Sequence, residues 1–296
     1  MALLRSLSVI RTPFLDSFFL FVTQLSQETI VILIICIFYW CVDKRSAMVI
    51  GISYFLSGLL VQGLKITFRI ERPWVIDPNF NAVSAALPAS TGYSFPSGHT
   101  QSATALFGSL STITRNRAAR ALCFALCLLI GFSRLYLGVH TPLDVIVGMA
   151  LTFAIVLCVY FFSKKFPDNF GTALPLVFAG LATALVIYSF TLYSAGHITS
   201  EYVADCFKAG GAGLGFAFGM FIEQRYINFD VTTNRIWKQA LKLVTGLAVL
   251  LALKFGLPYI LGRSLVSNLI CYLIIVLWAI ALYPLIIKRY FAPEAK

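Results

Sequence analysis

Three short stretches hold residues whose types and spacing could do chemistry. In KITFRIERPW, Lys65 and Arg72 stand seven residues apart, about two helical turns, so both cations would share a face if the helix runs through them. Two long basic side chains at a helix end can also simply reach for the headgroup region, but Arg69 makes a third cation in the same short segment. In YSFPSGHTQ, Ser97 and Gly98 stand where an apolar helix begins. The first N–H groups of a helix have no partner inside it and make a ready seat for an anion. Pro96, Ser97 and Gly98 also suit a turn and N-cap, yet a cap has no need of His99. In SRLYLGVHTPLD, Thr141 and Pro142 read as the N-cap and first residue of the next helix. Asp144 then falls in its first turn, where the helix dipole favours a carboxylate. His140 precedes it by four residues, close enough for Asp144 to accept its ring N–H, orient it and raise its basicity. Cations, two imidazoles, a carboxylate and a helix start are the equipment of phosphoryl transfer. That chemistry needs charge stabilisation on the phosphoryl oxygens, a nucleophile and a proton donor for the leaving group.

The elements that carry these stretches must be membrane helices. The chain of 296 residues is 59% hydrophobic and 12% charged, whereas a soluble domain of this size carries about 25% charged residues. Its mean hydropathy is +0.86. Apolar runs cover 25–42, 47–68, 99–114, 121–139, 143–162, 174–193, 209–223, 240–261 and 266–287, and about 20 such residues cross a bilayer as a helix. The expected fold is therefore an all-α, polytopic transmembrane helical bundle of about nine spans. Residues 1–24, interrupted by Arg5, Arg11, Asp16 and Gln24, read as an interfacial amphipathic helix, and no cleavable signal peptide is evident. No linker breaks the pattern, so residues 1–296 form one membrane domain in this reading.

The net charge of +11 is distributed like a topological bias. Lys and Arg gather at 44–45, 115–120, 164–165, 225–242 and 288–296, which are alternate loops and hold 14 of the 23 basic residues. The positive-inside rule puts those loops in the cytoplasm, with the N-terminus outside and the C-terminus inside. The three polar stretches then share the outer face. No basic helix or aromatic–basic interleave points to nucleic acid. Six of the seven cysteines lie in or beside apolar runs, with Cys206 expected in an outer loop, which argues against both a disulfide framework and a zinc cluster. Gly211, Gly215 and Gly219 are spaced for close helix packing, within the bundle or in a homodimer. Lys254, inside an apolar run, would reach outward or line a cavity.

The three stretches together, Lys65-x6-Arg72-Pro73, Pro96-Ser97-Gly98-His99 and Ser133-Arg134-x5-His140-x3-Asp144, resemble the three-part signature of the type-2 phosphatidic acid phosphatase superfamily. The resemblance covers residues 65–144 and shows no departure at the signature positions. It implies a phosphatase core at 25–165, with 166–296 as additional transmembrane helices. It further implies that His140 attacks phosphorus to form a phosphohistidine, that Asp144 orients His140, and that His99 protonates the departing oxygen. Lys65, Arg72, Arg134, Ser97 and Gly98 would bind the phosphoryl oxygens, with no metal and no other cofactor. The stretches also lack the several carboxylates that a Mg²⁺ site favours.

A site at outward helix ends suits a phosphorylated lipid whose tail lies between helices. Isoprenoid diphosphates, phosphatidic acid, phosphatidylglycerol phosphate and sphingoid phosphates all fit that geometry. Family-level reasoning leans towards undecaprenyl diphosphate and a bacterial plasma membrane, with the active site on the extracytoplasmic face. The alternatives are a sugar-phosphate phosphatase resembling the glucose-6-phosphatases and a lipid phosphotransferase in which an acceptor replaces water. The vanadium haloperoxidases share similar motifs but are soluble. A non-enzymatic lipid transporter would break its spans with polar or Gly/Pro positions near the midplane, whereas here the polar set lies at one face.

Overall fold

A backbone in an apolar solvent must satisfy its own N–H and C=O groups, which leaves helices as the open-chain solution. In the computed structural model, which describes residues 1–165, 171, 173–233, 236–262 and 264–291, every regular element is a helix. Arg235 and the end of the basic cluster 288–296 lie outside the described residues. The chain divides into two compact units, one of residues 1–32 and 52–161 and one of residues 33–51 and 162–296.

The first unit opens with α1 (Ala2–Val9) and α2 (Pro13–Gln24), so the single interfacial helix expected over 1–24 is two helices. They part because Thr12 caps α2, accepting the Leu15 N–H, and Pro13 follows at its first helical position. Next come α3 (Glu28–Ile37), α4 (Lys44–Phe68), α5 (Pro73–Ile76), α6 (Gly98–Ala103), α7 (Ser109–Ile113), α8 (Arg117–Tyr136) and α9 (Pro142–Lys165). A π-helical segment, Thr104–Gly108, joins α6 to α7. Phe19, Ala86, Tyr136, Leu137 and Val139 form a buried cluster where α2, the loop after α5 and the end of α8 meet. The other side of α8 exposes Leu122, Phe124, Leu128 and Phe132, an apolar stripe suited to lipid.

The helix carrying Lys65 ends sooner than the spacing to Arg72 suggested. Arg69 takes a left-handed φ of 51° while its N–H bonds to the Lys65 carbonyl at 2.9 Å, and α4 stops at Phe68. Arg72, extended before Pro73, is the N-cap residue of α5. The two cations therefore meet around a turn and not along a helix face.

The second unit holds α10 (Ala173–Ser194), α11 (Ser200–Ile222), α12 (Ile236–Leu261), α13 (Leu265–Leu277) and α14 (Tyr283–Tyr290), with the segment 33–51. The glycine stripe of α11 is filled within this unit. A Cβ at Gly211 would stand 2.1 Å from the Leu269 carbonyl oxygen, one at Gly215 2.5 Å from that of Leu273, and one at Gly219 2.9 Å from the Ile280 Cβ. The stripe expected to serve packing or a homodimer thus packs against the Leu265–Leu282 stretch of its own chain, and its dimer role is withdrawn. Cys206, expected in a loop, is buried in α11, because that helix starts at Ser200. Lys254 is half-buried in α12.

Each of the nine expected apolar runs is helical. Among the described residues, six helices are long and apolar enough to cross a bilayer, or seven if Pro13–Gln24 and Glu28–Val42, bent by 45°, count as one broken span. The runs that fall short do so for visible reasons. Residues 98–113 are short and interrupted by the π segment, and α11 carries Glu201, Asp205, Lys208 and several glycines.

Candidate active site

His140 lies in the tight connection between α8 and α9. Gly138 makes the turn at φ +76°, where a Cβ would come within 2.8 Å of the Phe80 ring, and Val139 N–H bonds to the Arg134 carbonyl at 3.2 Å. Thr141 then caps α9 in a reciprocal pair with Asp144. The Thr141 N–H donates to Asp144 Oδ2 at 2.7 Å and the Asp144 N–H reaches Thr141 Oγ1 at 3.4 Å. The same carboxylate oxygen accepts Ser94 Oγ–H at 2.6 Å and stands 3.4 Å from His140 Nδ1. Asp144 is therefore both a helix cap and the partner of His140, and the two readings of its position coincide.

The PSGH turn is bound to α9 through its backbone. Ser97 N–H donates to the Asp144 carbonyl at 3.0 Å, and a Cβ at Gly148 would come within 3.0 Å of the Ser97 carbonyl oxygen. Glycine one turn after Asp144 is what lets the turn lie this close. Ser97 Oγ caps α6, accepting the Thr100 hydroxyl at 2.9 Å and the Thr100 N–H at 3.4 Å. Ser97 is fully buried, whereas a Cβ added at Gly98 would meet nothing within 4 Å. Ser97 thus builds the turn, and the backbone at Gly98 is the part open to an approaching group.

The cations converge from three other elements. Lys65 Nζ donates to the Tyr93 carbonyl at 2.7 Å. Arg72 grips both sides of the site: Nη2 donates to the Thr91 carbonyl at 2.6 Å, Nε to that of Gly92 at 3.0 Å, and Nη1 to that of Val139 at 3.0 Å. Its Nη1 also stands 2.9 Å from His140 Nε2. A guanidinium has only donors, so that ring nitrogen must present its lone pair. The proton of a neutral His140 then sits on Nδ1, facing Asp144 and Ser94. Burial first, then the charges of Arg72, Arg134 and Lys65, push the His140 imidazole well below its ordinary range. It is neutral at pH 7, with an oriented lone pair on Nε2.

Arg134, in the last turn of α8, donates from Nη1 to Thr23 Oγ1 at 3.0 Å and from Nη2 to Ser90 Oγ at 2.9 Å. Among the described residues, Arg134 Nε and His99 Nε2 at this site, like Arg11 Nη2, are buried nitrogens without a hydrogen-bond partner. A buried donor without an acceptor is costly. His99 lies within electrostatic range of Arg134, His140, Arg72 and Lys65, so the sequence-predicted set comes together at one end of the first unit. An anionic tetrahedral group received there would meet cations, a nucleophilic nitrogen and a second imidazole, His99, which burial first and then the charges of Arg134, His140, Arg72 and Lys65 hold well below its ordinary range until the anion offsets them. Among the described residues, no group of three or more His, Cys, Asp or Glu side chains is arranged as a metal site.

Comparison with known proteins identifies the family of the chain. The PAP2 superfamily model matches residues 46–168, and a second, described as PAP2 superfamily phosphatase, transmembrane extension, matches residues 207–294. The chain belongs to the PAP2 superfamily. Sphingosine-1-phosphate phosphatase 1 of Rattus norvegicus is 30% identical over 68% of this chain and 47% of its own length. Undecaprenyl-diphosphatase BcrC of Bacillus subtilis is 31% identical over 52% of this chain and 76% of its own. The solved structure of Aquifex aeolicus LpxE aligns at a TM-score of 0.47 with 29% identity, covering 53% of this chain and 92% of that one. The chain spans about half the length of the sphingosine-1-phosphate phosphatases 1 it matches.

Within this PAP2 chain the signature positions leave out four residues that the structure brings into the site: Ser94, Ser90, Thr23 and Gly148. Ser94 lies inside the YSFPSGHTQ stretch, two residues before Pro96, and a hydroxyl so near the motif was its only signal. Ser90 and Thr23 reach Arg134 across sequence separations of 44 and 111, and no local pattern marks them.

Proposed function

We propose that the chain is an integral membrane phosphatase that cleaves phosphate from a long-chain lipid through a phosphohistidine on His140, without a metal. The observation that carries this reading is the 2.9 Å contact of Arg72 Nη1 with His140 Nε2, which aims the ring's lone pair at the cation that would hold the phosphoryl group. Nε2 attacks phosphorus, the P–O bond to the lipid breaks, and His99, protonated once the bound phosphoryl charge offsets the cations around it, gives its proton to the leaving oxygen. Water then attacks phosphorus, its proton passes to His99, and the P–N bond breaks to release inorganic phosphate. Lys65, Arg72, Arg134 and the backbone at Gly98 stabilise the charge that spreads over the phosphoryl oxygens. Asp144 holds the imidazole through Nδ1 and stabilises the charge it gains on phosphorylation.

The substrate is a phosphate or diphosphate of a membrane lipid. An isoprenoid diphosphate such as undecaprenyl diphosphate remains the first reading, supported by the likeness to BcrC. A sphingoid phosphate is the second, favoured by the longer match to the rat enzyme, which covers 68% of this chain against 52% for BcrC. Nine crossings, with the N-terminus outside and the site on the extracytoplasmic face of a bacterial plasma membrane, fit the charge pattern. Arg134 stands near one end of α8 and Arg117 and Arg120 at the other, and a helix of this length extends about 30 Å, the thickness of a hydrocarbon core.

The test is phosphate release by the detergent-purified chain in excess chelator. Undecaprenyl diphosphate, sphingosine 1-phosphate, phosphatidic acid and glucose 6-phosphate are compared side by side. Release from at least one lipid, lost in His140→Ala, is expected. Release that depends on added metal, or that survives His140→Ala, overturns the mechanism.

A further inference from the structure

The hydrogen bonds of the Arg134 guanidinium go to residues 44 and 111 positions away in sequence. Arg134 projects from the last turn of α8 with a long side chain, and free arginine carries about 2 kcal/mol of rotamer entropy. Two hydroxyls from separate elements fork it. Thr23 Oγ1, from the last turn of α2, accepts Nη1 at 3.0 Å, and Ser90 Oγ accepts Nη2 at 2.9 Å. Ser90 in turn donates its own hydroxyl proton to the Ala86 carbonyl at 2.8 Å, so the lone pairs of its oxygen are left to face the guanidinium. Each Nη gives one of its two hydrogens to a hydroxyl, so the unpartnered Nε–H and the remaining Nη hydrogens are left to meet a ligand. Thr23 and Arg134 are 2% and 1% exposed, so water competes little for these bonds.

Thr23 does not arrive there by chance of a loose terminus. Asp16, Phe19 and Thr23 recur at the spacing of one helix face, and the first two dock α2 on α8. The Tyr136 hydroxyl donates to Asp16 Oδ1 at 2.8 Å, and the Phe19 and Tyr136 rings lie 4.3 Å apart. Arg11 adds a bond from Nε to the Tyr136 carbonyl at 3.1 Å, and Arg5 pairs with Asp77 at 2.6 Å. The docked face delivers the Thr23 hydroxyl to Arg134. Thr23 also lies ahead of residue 46, where the PAP2 match begins.

We propose that Thr23 is a positioning residue of the phosphate site: helix α2 sets the guanidinium of Arg134 through it, so the N-terminal helices form a wall of the active site. The inference rests on the phosphatase reading above. Its test uses the full-length chain in detergent, with orthovanadate as a probe that mimics the five-coordinate phosphoryl group. Two readouts are taken, the orthovanadate-induced rise in melting temperature and kcat and KM for phosphate release.

Thr23→Val, which keeps the shape and removes the hydroxyl, should weaken orthovanadate binding and lower kcat/KM by about tenfold, the scale of one charge-assisted hydrogen bond. Thr23→Ser should restore both to within about twofold, because it keeps the acceptor. In an Arg134→Ala background, Thr23→Val should add nothing, since the group it positions is gone. If Thr23→Val fails to elute as a folded species, Thr23→Ala replaces it and is read in the same way.

Unchanged orthovanadate affinity and kcat/KM in an otherwise active protein overturn the inference alone. Additivity with Arg134→Ala, or failure of Thr23→Ser to rescue, also overturns it, because either marks a merely structural residue. A wild-type chain that neither releases phosphate nor binds orthovanadate overturns the phosphatase reading and this inference with it.

Discussion

Both units hold cations bonded to carbonyls or carboxylates, yet only the first buries them together, at Lys65, Arg72 and Arg134. In the second unit, Lys44 pairs with Glu223 at 2.5 Å, Lys242 donates to the Val231 carbonyl at 2.8 Å and Lys288 donates to the Ile227 carbonyl. Arg45 donates to the Ser163 carbonyl at 2.5 Å. These cations tie helix ends and loops together, and among the described residues no imidazole is hydrogen-bonded to them. In the first unit, Lys65 and Arg72 also hold carbonyls, those of Tyr93, Thr91, Gly92 and Val139. There, however, the bonds gather the loop around two histidines, one with an aimed lone pair and one with an unpartnered ring nitrogen. A bonded cation alone is a structural device. Buried charge that converges on an oriented nucleophile and on donors without acceptors is a site.

The largest effect expected from breaking that difference is at His140. His140→Ala should abolish phosphate release, a loss of more than about 10⁴-fold if the covalent step is removed. The protein should still elute and melt like the wild type, because the removed ring packs in a connection and not in a helix interface. Acid-labile, base-stable ³²P incorporation into the wild type and none into the variant would identify the phosphoenzyme. A variant with wild-type turnover would make the first unit's cluster no more chemical than the second's.

His99→Ala should come next, with a fall of roughly 10² to 10⁴ on a lipid substrate, the usual range for a lost general acid. The fall should shrink on a p-nitrophenyl ester, whose oxygen leaves without a proton. Equal losses on both substrates would deny His99 the role of proton donor. The pH profile sharpens the same point for His140. Its imidazole titrates well below the ordinary range, and only the neutral ring attacks. The acid limb of kcat/KM that belongs to His140 should therefore lie below about pH 6.5, with activity lost as pH falls through it. An acid limb clearly above that value, measured on a substrate ionised throughout, would contradict the neutral, buried imidazole.

In the second unit the corresponding changes should move stability and leave turnover alone. Gly211→Val would force side-chain carbon into the Leu269 backbone, since even a Cβ there would stand 2.1 Å from its carbonyl oxygen. Overpacking of this kind costs about 1–3 kcal/mol, which a lowered melting temperature in detergent would register. Unchanged stability would mean that α11 and α13 do not pack as closely as this, and it would reopen an intermolecular role for the stripe.

The same contrast explains what could be read from the sequence. Spacing within a helix turn was legible: His140 and Asp144 at i and i+4, Thr141–Pro142 as a start, the glycines of α11 as a packing face. Composition fixed helices in a membrane, because few charged residues and long apolar runs admit little else. Legibility failed where the backbone leaves the helix. Lys65 and Arg72 meet through a left-handed Arg69 and not through two helical turns, and a positive φ at an arginine has no local signature. It failed again where contacts cross the chain. Thr23 finds Arg134 only because α2 docks on α8, which the interruptions in residues 1–24 did not foretell, and Ser90 reaches it from the loop after α5.

The smallest effect expected is at Ser94, and it tests how much the site depends on its supports. Ser94 Oγ donates to Asp144 Oδ2 at 2.6 Å, beside the Thr141 N–H on the same oxygen. Ser94→Ala removes one of the two hydrogen bonds and keeps the cap. A lost bond to a charged acceptor is worth about 1.5–3 kcal/mol when nothing replaces it. Here the Thr141 N–H remains and His140 Nδ1 stands 3.4 Å away, so the carboxylate can close on the ring as Ser94 lets go. Compensation of that kind should hold the loss in kcat to about tenfold or less, with KM little changed, because Ser94 touches Asp144 and His140 and none of the phosphate-binding cations. A loss as deep as that of His140→Ala would show that Ser94, and not Asp144, is the group that orients the nucleophile.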